Sequence, residues 1–311
     1  MEGELIEWFV FNITNLCNFK CSTCLRGYGR KGNLSLKLFK QLLPDLKRVG
    51  IQAISFTGGE PCLHPEFKSL IEAAVRHDFY IDFVSNGSLL ERYQFIIEKY
   101  RENLPFVAFS VDGPTREIHE RNRPPGSYKK VIRSIEYFIA HGIFTKIFVC
   151  LSKLNKDAIP GMFGLGSRLG ANSLVFSAAI ATTANKEIVL SDQEKDECVE
   201  IIRDVNKFAG IRGFLTASLW TRGGVNFCRY LGVEALSVNP KGELVFCCNT
   251  IRDGAVIGSL EKERFEDLYS SALDIGSELK RIRMRLMLEN KRIDGMDTCE
   301  FCNQFLAKKI N

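Results

Sequence analysis

The chain has 311 residues, of which 45% are hydrophobic and 25% charged, an ordinary composition for a globular enzyme with a sizeable core. Its net charge of +5 is small for this length, and scattered Lys and Arg residues argue against a nucleic-acid partner. No run of about 18 apolar residues and no signal-peptide pattern occurs, so the sequence predicts a cytoplasmic protein without a membrane partner.

Strands and helices alternate over the first part of the chain. The apolar runs IEWFVFNI and QAISFTG predict strands, whereas LSLKLFKQLLPDLKRVG has the spacing of a helix that ends at a glycine. Six such units follow one another over about 180 residues, which predicts a parallel sheet in an open or partial-barrel fold. The loops after the strands then share one edge of the sheet, where such folds bind ligands.

The regular alternation of strands and helices ends after about residue 190. The segment SDQEKDECVEIIRDVNKFAG predicts one more helix, and ALSVNPKGELVFCC predicts a β-hairpin around Asn-Pro-Lys-Gly. Helical segments and a Cys-Glu-Phe-Cys stretch follow. We therefore predict two domains, residues 1–210 and residues 211–311.

Eleven cysteines are unusual for a cytoplasmic protein, where clustered thiols indicate metal ligands or catalytic groups. Cys17, Cys21 and Cys24 lie in a loop after the first strand. Soft thiolates select zinc, copper or iron–sulfur clusters, and structural zinc requires four ligands. Three thiolates on a four-iron cluster leave one iron open for a cofactor or substrate. A zinc site with a fourth ligand from elsewhere is the alternative.

The CxxxCxxC loop of Cys17, Cys21 and Cys24 resembles the radical S-adenosylmethionine (SAM) superfamily. The resemblance implies a 4Fe-4S cluster on these thiols, with SAM on the open iron. It also implies an external one-electron reductant of flavodoxin or ferredoxin type, and cleavage of SAM to a 5′-deoxyadenosyl radical that abstracts hydrogen from the substrate. Thr23 stands where the family usually has an aromatic residue, and Phe19 is our candidate to cover the cluster instead.

The loops after the next three strands resemble, in chain order, the family's cofactor-binding motifs. TGGEP resembles the GGE motif, whose backbone and carboxylate hold the cofactor's amino group; SNG resembles its ribose-contacting residues and SVDG the SxDG stretch of peptide-modifying members. Each alone is more often a turn former. The cofactor contacts implied are Gly58, Gly59, Glu60, Ser85, Asn86, Ser110 and Asn155. The charged residues of the following HERNRPPG segment, His119, Arg121 and Arg123, face either carboxylates of the substrate or cofactor, or solvent.

The second cysteine set has the spacing C-x13-G-x4-C, from Cys228 through Gly242 to Cys247, followed by Cys299 and Cys302. It resembles a SPASM domain in its reduced, twitch form. The resemblance implies one auxiliary 4Fe-4S cluster, fully ligated by Cys228, Cys247, Cys299 and Cys302, that transfers electrons. A structural zinc site on the same thiols is the alternative. The fold class implied is α/β: a partial (β/α)6 barrel followed by a small β-hairpin plus helix domain.

Cys248 adjoins a predicted ligand at the end of a strand, where neighbouring side chains point to opposite sides. It is either a small buried hydrophobic residue or, by resemblance to radical peptide epimerases, a hydrogen-atom donor to the substrate radical. The singly dispersed Cys62, Cys150 and Cys198 are predicted to lie in the core.

These features predict a radical SAM enzyme that modifies a ribosomally synthesised peptide, by epimerisation or by a cross-link. One alternative is a radical SAM dehydrogenase of a small molecule such as an amino-sugar alcohol; another is a non-catalytic metal-binding or electron-transfer protein. Sixteen residues precede Cys17 in this sequence, and we expect them to leave no room for the peptide-recognition domain of some relatives. A leader peptide would then be bound by the core or by a separate leader-peptide-binding protein, or the substrate is not a peptide.

Overall fold

The computed structural model describes residues 7–25, 32–219, 236–247 and 256–288, and residue 302. Seven strands lie side by side in chain order, and all are parallel. They are β1 (Glu7–Thr14), β2 (Ile51–Gly58), β3 (Tyr80–Ser85), β4 (Val107–Ser110), β5 (Thr145–Leu151), β6 (Ser173–Ala178) and β7 (Arg212–Leu215). The predicted alternation of strands and helices is confirmed, and β7 adds one strand beyond the six expected.

The helices follow the predicted amphipathic segments. They are α1 (Leu36–Arg48), α2 (Phe67–Arg76), α3 (Gln94–Tyr100), α4 (Arg116–His119), α5 (Ser127–Ala140), α6 (Ile159–Leu169), α7 (Asp192–Val205) and α8 (Phe265–Leu288). The Ser35 side chain accepts a hydrogen bond from Leu38 N and caps α1, and Gly50 ends its turn with a φ of 89°. None of the helices in the described ranges is long and apolar enough to span a membrane.

The aromatic residues of the strands show which face of the sheet the helices cover. Phe11 packs edge-on against Phe39 of α1 at 4.9 Å between ring centroids, and Phe109 of β4 packs likewise against Phe138 of α5 at 5.3 Å. Further along, Phe163 of α6 stacks on Phe176 of β6. Strands in sequential order with these helices on one face form the wall of a barrel, as predicted.

The opposite side, here called the open face, carries small and polar residues near the carboxyl ends of the strands. Side chains of a strand alternate between its two faces, so every second residue points away from the helices. On β5 the buried residues Ile147, Val149 and Leu151 alternate with partly exposed ones. Near the carboxyl ends of the strands, its partly exposed polar or thiol residues include Thr57, Ser110, Cys150 and Ser177. This face therefore offers the space in which a ligand can be held.

The C-terminal part continues the sheet beyond β1. The predicted hairpin is formed by β8 (Ser237–Val238) and β9 (Glu243–Val245), with Gly242 in its turn at a φ of 74°, and β10 (Val256–Ser259) follows. β8 pairs in parallel with β1, and Phe265 of α8 packs edge-on against Phe9. One sheet thus includes strands from both sides of residue 210, and the division into two domains at that point stays a prediction.

A buried carboxylate lies on the open face at the middle of β3. Asp82 is 1% exposed and accepts hydrogen bonds from Trp8 Nε1 at 2.8 Å and from Ser55 Oγ at 2.5 Å. Burial raises its pKa from an ordinary 3.8 to about 6. The folded chain therefore holds this proton more tightly than the unfolded chain does.

We expect Asp82→Asn to remove a fall in stability between pH 4 and pH 6. The unfolded chain ionises first as the pH rises, so the contribution of Asp82 to the free energy of unfolding falls by roughly 3 kcal/mol across this window. Urea unfolding of the metal-free chain at several pH values measures this. The free energy of unfolding of the variant should increase relative to that of the wild type as the pH rises from 4 to 6. A constant difference between the two proteins over this range would contradict the prediction.

Candidate active site

The three cysteines of the first cluster lie in the loop after β1, at the edge of the sheet where the strands end. Cys17 is exposed, and Cys21 and Cys24 are partly buried. The charge of each thiolate acts on the others, so the three sulfurs are within electrostatic range of one another. Burial raises the pKa of the Cys21 thiol to about 11 and also raises that of Cys17. Metal binding at this loop would therefore release protons.

The spacing of these thiols bears on what they can bind. Within the described ranges, no three His, Cys, Asp or Glu side chains converge closely enough to hold one metal ion. In a four-iron cluster each thiolate binds a different iron, so its ligands stand apart around the cluster. A loop with three separated soft donors fits such a cluster in its donor chemistry.

The glycine motif after β2 packs directly on the cysteine loop. Gly59 N donates to Thr14 O and Glu60 N donates to Leu16 O, both at 2.7 Å. A Cβ atom on Gly59 would lie 2.1 Å from Leu16 O and 2.9 Å from Cys17 Cβ. Only glycine therefore allows this approach, which joins two motifs that lie about 40 residues apart in the chain.

Glu60 is the centre of a buried hydrogen-bond cluster. Its Oε1 accepts from Ser85 Oγ at 2.9 Å, from Tyr93 and from Cys62 Sγ, and its Oε2 accepts from Asn86 N at 2.9 Å. Burial raises its pKa. The carboxylate thus holds the loop after β3 against the glycine motif. Contact of Glu60 with a cofactor stays a prediction, and Tyr93 is a member of this cluster that sequence reasoning missed.

Asn86 is a predicted cofactor residue whose side chain lies near the cysteines. Its Nδ2 donates to Asn18 Oδ1 at 3.0 Å and lies 4.0 Å from Cys17 Sγ. Asn155, by contrast, uses its amide within the protein, because Nδ2 donates to Asp112 O at 2.8 Å and Oδ1 accepts from Ser152 N at 2.8 Å. Ser110 ends β4 and is partly exposed on the open face.

The segment after β4 contains a second buried cluster. Asp112 accepts from Arg123 Nε at 2.6 Å and from Cys150 N at 3.0 Å, and it is also bonded by Asn122. The Arg123 side chain is only 11% exposed, so the alternative prediction that it faces solvent is wrong. Asp112 belongs to the SVDG stretch noted in the sequence, but its role as the partner of Asn122 and Arg123 was not predicted.

The single cysteines divide between core and open face. Cys62 and Cys198 are each 2% exposed, as predicted. Cys150 was predicted to lie in the core, which is wrong, because the alternation of β5 turns it to the open face, where it is partly exposed. Burial raises the pKa of its thiol to about 12, although a hydrogen bond from Thr23 partly offsets this rise. A fourth thiol therefore lies beside the cysteine loop.

The second cysteine set is described only in part. Cys247, which follows β9, and Cys302 are both buried, at 8% and 9% exposure. Cys228, Cys248 and Cys299 lie outside the described residues. The auxiliary site and the role of Cys248 therefore stay predictions.

Comparison with known proteins identifies the family. A model described as the radical SAM superfamily matches residues 11–165, about half of the chain, and covers the cysteine loop, the glycine motif and the Asp112 cluster. The chain belongs to the radical SAM superfamily. As a radical SAM protein it is an enzyme, and membership implies use of SAM and a 4Fe-4S cluster.

One curated protein and two solved structures illustrate what this radical SAM chain is similar to. Mycofactocin maturase MftC of Mycobacterium tuberculosis is 25% identical over 280 residues, which cover 84% of this chain and 70% of the relative. The structure of Streptococcus suis SuiB bound to precursor peptide SuiA matches with a TM-score of 0.71 at 14% identity, over 86% of this chain and 65% of SuiB. Native anSMEcpe with bound AdoMet and Kp18Cys peptide gives 0.70 at 17% identity, over 88% and 82%. The two structures support the fold.

Proposed function

We propose that Cys17, Cys21 and Cys24 hold the 4Fe-4S cluster of this radical SAM enzyme and that its substrate is a ribosomally synthesised peptide. The observation that carries the site is the contact between the glycine motif and the cysteine loop, where a Cβ on Gly59 would meet Leu16 O at 2.1 Å. When bound, the cluster and SAM supply an electron and the 5′-deoxyadenosyl radical that abstracts hydrogen from the substrate.

The chain's own residues hold and enclose this chemistry. The backbone of Gly58 and Gly59 lies against the end of β1 and the cysteine loop, where a side chain on either glycine would meet the backbone of Thr14 or Leu16. Glu60 holds Ser85 and Asn86 through buried hydrogen bonds, and Asn86 Nδ2 lies 4.0 Å from Cys17 Sγ. The open face supplies small polar residues to the same edge, where a substrate can approach without displacing apolar core.

Similarity to peptide-modifying proteins supports a peptide substrate. MftC is named a maturase, and SuiB and anSMEcpe have each been solved with a peptide bound. The reaction we propose is epimerisation or formation of a cross-link. We further propose that Cys228, Cys247, Cys299 and Cys302 ligate an auxiliary 4Fe-4S cluster, that a flavodoxin- or ferredoxin-type protein supplies the electrons, and that a separate protein presents the leader peptide.

The test has two stages. Anaerobically reconstituted protein with dithionite and SAM should form 5′-deoxyadenosine, and its absence in protein loaded with a four-iron cluster would overturn the radical SAM assignment of this site. Co-expression in deuterated water with a short reading frame that neighbours the gene then identifies the reaction by peptide mass spectrometry. Non-exchangeable deuterium at an inverted residue indicates epimerisation, and loss of two hydrogens indicates a cross-link or oxidation. An unmodified peptide despite active SAM cleavage would contradict a peptide substrate.

Cys248→Ala tests the proposed hydrogen-atom donor. If Cys248 returns hydrogen to the substrate, the variant should retain SAM cleavage and lose deuterium incorporation at least tenfold, because the substrate radical is left without its donor. Cys198→Ala is the matched control, since Cys198 is buried on α7. Unchanged inversion in the Cys248 variant would contradict the donor role.

A further inference from the structure

A clamp of hydrogen bonds holds the cysteine loop from behind. Thr23, between Cys21 and Cys24, donates from its backbone N to Asn122 Oδ1 at 3.0 Å, and Asn122 Nδ2 donates to Thr23 Oγ1 at 2.9 Å. Ser22 N also donates to Asn122 O at 2.9 Å. Thr23 and Asn122 are buried and lie 99 residues apart in the chain. A threonine, in place of the aromatic residue usual in the family, thus connects the loop to a distant polar segment.

The clamp leads directly to a buried ion pair. Asn122 bonds Asp112 through Nδ2, and the next residue, Arg123, donates from Nε to the same carboxylate oxygen at 2.6 Å. The side chains of Arg123 and Asp112 are 11% and 0% exposed. Neighbouring bonds hold both partners, so the guanidinium has a defined position relative to the loop.

The ion pair lies beside the cysteine loop, because the carbonyl that Ser22 N bonds belongs to Asn122, the residue before Arg123. Burial raises the pKa of the Cys17 and Cys21 thiols, and the Arg123 guanidinium opposes this rise at both. The Asp112 side chain is fully buried and its other carboxylate oxygen accepts from Cys150 N, whereas the Arg123 side chain is 11% exposed. Arg123 is therefore the less deeply enclosed partner of the pair. A cation in this place favours negative charge on the sulfurs and on anything they bind.

We propose that Arg123 is a positioning residue that raises the reduction potential of the iron–sulfur cluster at Cys17, Cys21 and Cys24. This inference rests on the proposed function. Reduction adds one electron from the external reductant to the cluster and makes or breaks no bond, so the reduced cluster is more negative by one charge. A buried cation beside the ligands stabilises that extra charge, and charge near the cluster is one of the levers by which proteins set cluster potentials.

The test is an EPR-monitored titration with dithionite of the full chain, reconstituted anaerobically, with iron content measured in parallel. The cluster at the loop is recognised by the change in its signal when SAM is added. The variants are Arg123→Gln, which removes the charge, and Arg123→Lys, which keeps it. The double variant Asp112→Asn with Arg123→Gln leaves no unpaired buried charge. Arg121→Gln is the matched control, because Arg121 is exposed and only two residues away.

We expect the ratio of reduced to oxidised cluster to fall about tenfold in Arg123→Gln at a fixed potential, a shift of about 59 mV for one electron. Arg123→Lys should lie nearer the wild type, and Arg121→Gln should match it. If Arg123→Gln does not load iron, the reduction potential is measured on the double variant, where we again expect it to be lower than in the wild type. A fully loaded variant without the Arg123 charge but with the wild-type potential would overturn the inference. Wild-type protein that binds no four-iron cluster would instead overturn the proposed function.

Discussion

Replacement of Cys17, Cys21 and Cys24 with Ala is expected to remove about four irons per chain and all reductive cleavage of SAM. These are the only thiols of the loop after β1 among its described residues. After their removal the neighbouring Cys150 is a single thiol, and one thiolate does not hold a four-iron cluster. Iron analysis, EPR of the reduced protein and 5′-deoxyadenosine formation measure the loss. Iron bound at the second cysteine set should remain.

Cys198→Ala serves as the control for the cysteine replacement. Cys198 is buried on α7 and does not belong to the loop, so this variant should keep the cluster even where stability falls. A triple variant that keeps its full iron and its SAM cleavage would contradict the assignment of the ligands. Loss of iron in Cys198→Ala to the same extent would show that iron content reports folding rather than ligation.

Gly59→Ala is expected to abolish loading of the same cluster although it removes no ligand. The added methyl group would lie 2.1 Å from Leu16 O, and the contact is with backbone, which cannot turn aside. The glycine motif and the cysteine loop must therefore separate. Overpacking of this kind costs about 1–3 kcal/mol of stability. Iron content, SAM cleavage and urea unfolding of the metal-free chain measure the three effects.

Gly164→Ala is the matched control for Gly59→Ala. Gly164 lies inside α6, and no atom lies within 4 Å of the position of its added Cβ. The same chemical change should there stabilise the chain by about 1 kcal/mol, because alanine is the better helix former. Gly59→Ala with normal iron content would show that the loop tolerates separation from the glycine motif and would contradict the proposed packing.

The sequence predicted the fold and the family from features that neighbouring residues carry. Apolar spacing placed the strands and helices of the parallel sheet, and the distances between Cys17, Cys21 and Cys24 indicated the family. The glycine at position 50 marked the end of α1. Such signals are local, so one sequence is enough to read them.

Contacts between distant segments could not be predicted in this way. The Asn122 clamp on Thr23 joins residues 99 positions apart, and Asp112, the partner of the buried Arg123, also accepts from Cys150 N 38 positions away. Cys150 shares a hydrophobic run with core residues, and the side of β5 to which it points was missed. In the same way Glu60 serves as a buried anchor for Ser85, Asn86 and Tyr93.

The sequence by itself determined the kind of chemistry: three soft ligands in one loop and a glycine motif one strand later. The tertiary structure decided which side chains support that chemistry, because burial and hydrogen-bond partners arise only when distant segments meet at the ends of parallel strands. It also placed the β8–β9 hairpin beside β1, which brings the C-terminal part to the strand that precedes the cysteine loop. Spacing along the chain carries no information on such a pairing, since it is decided by packing across the sheet.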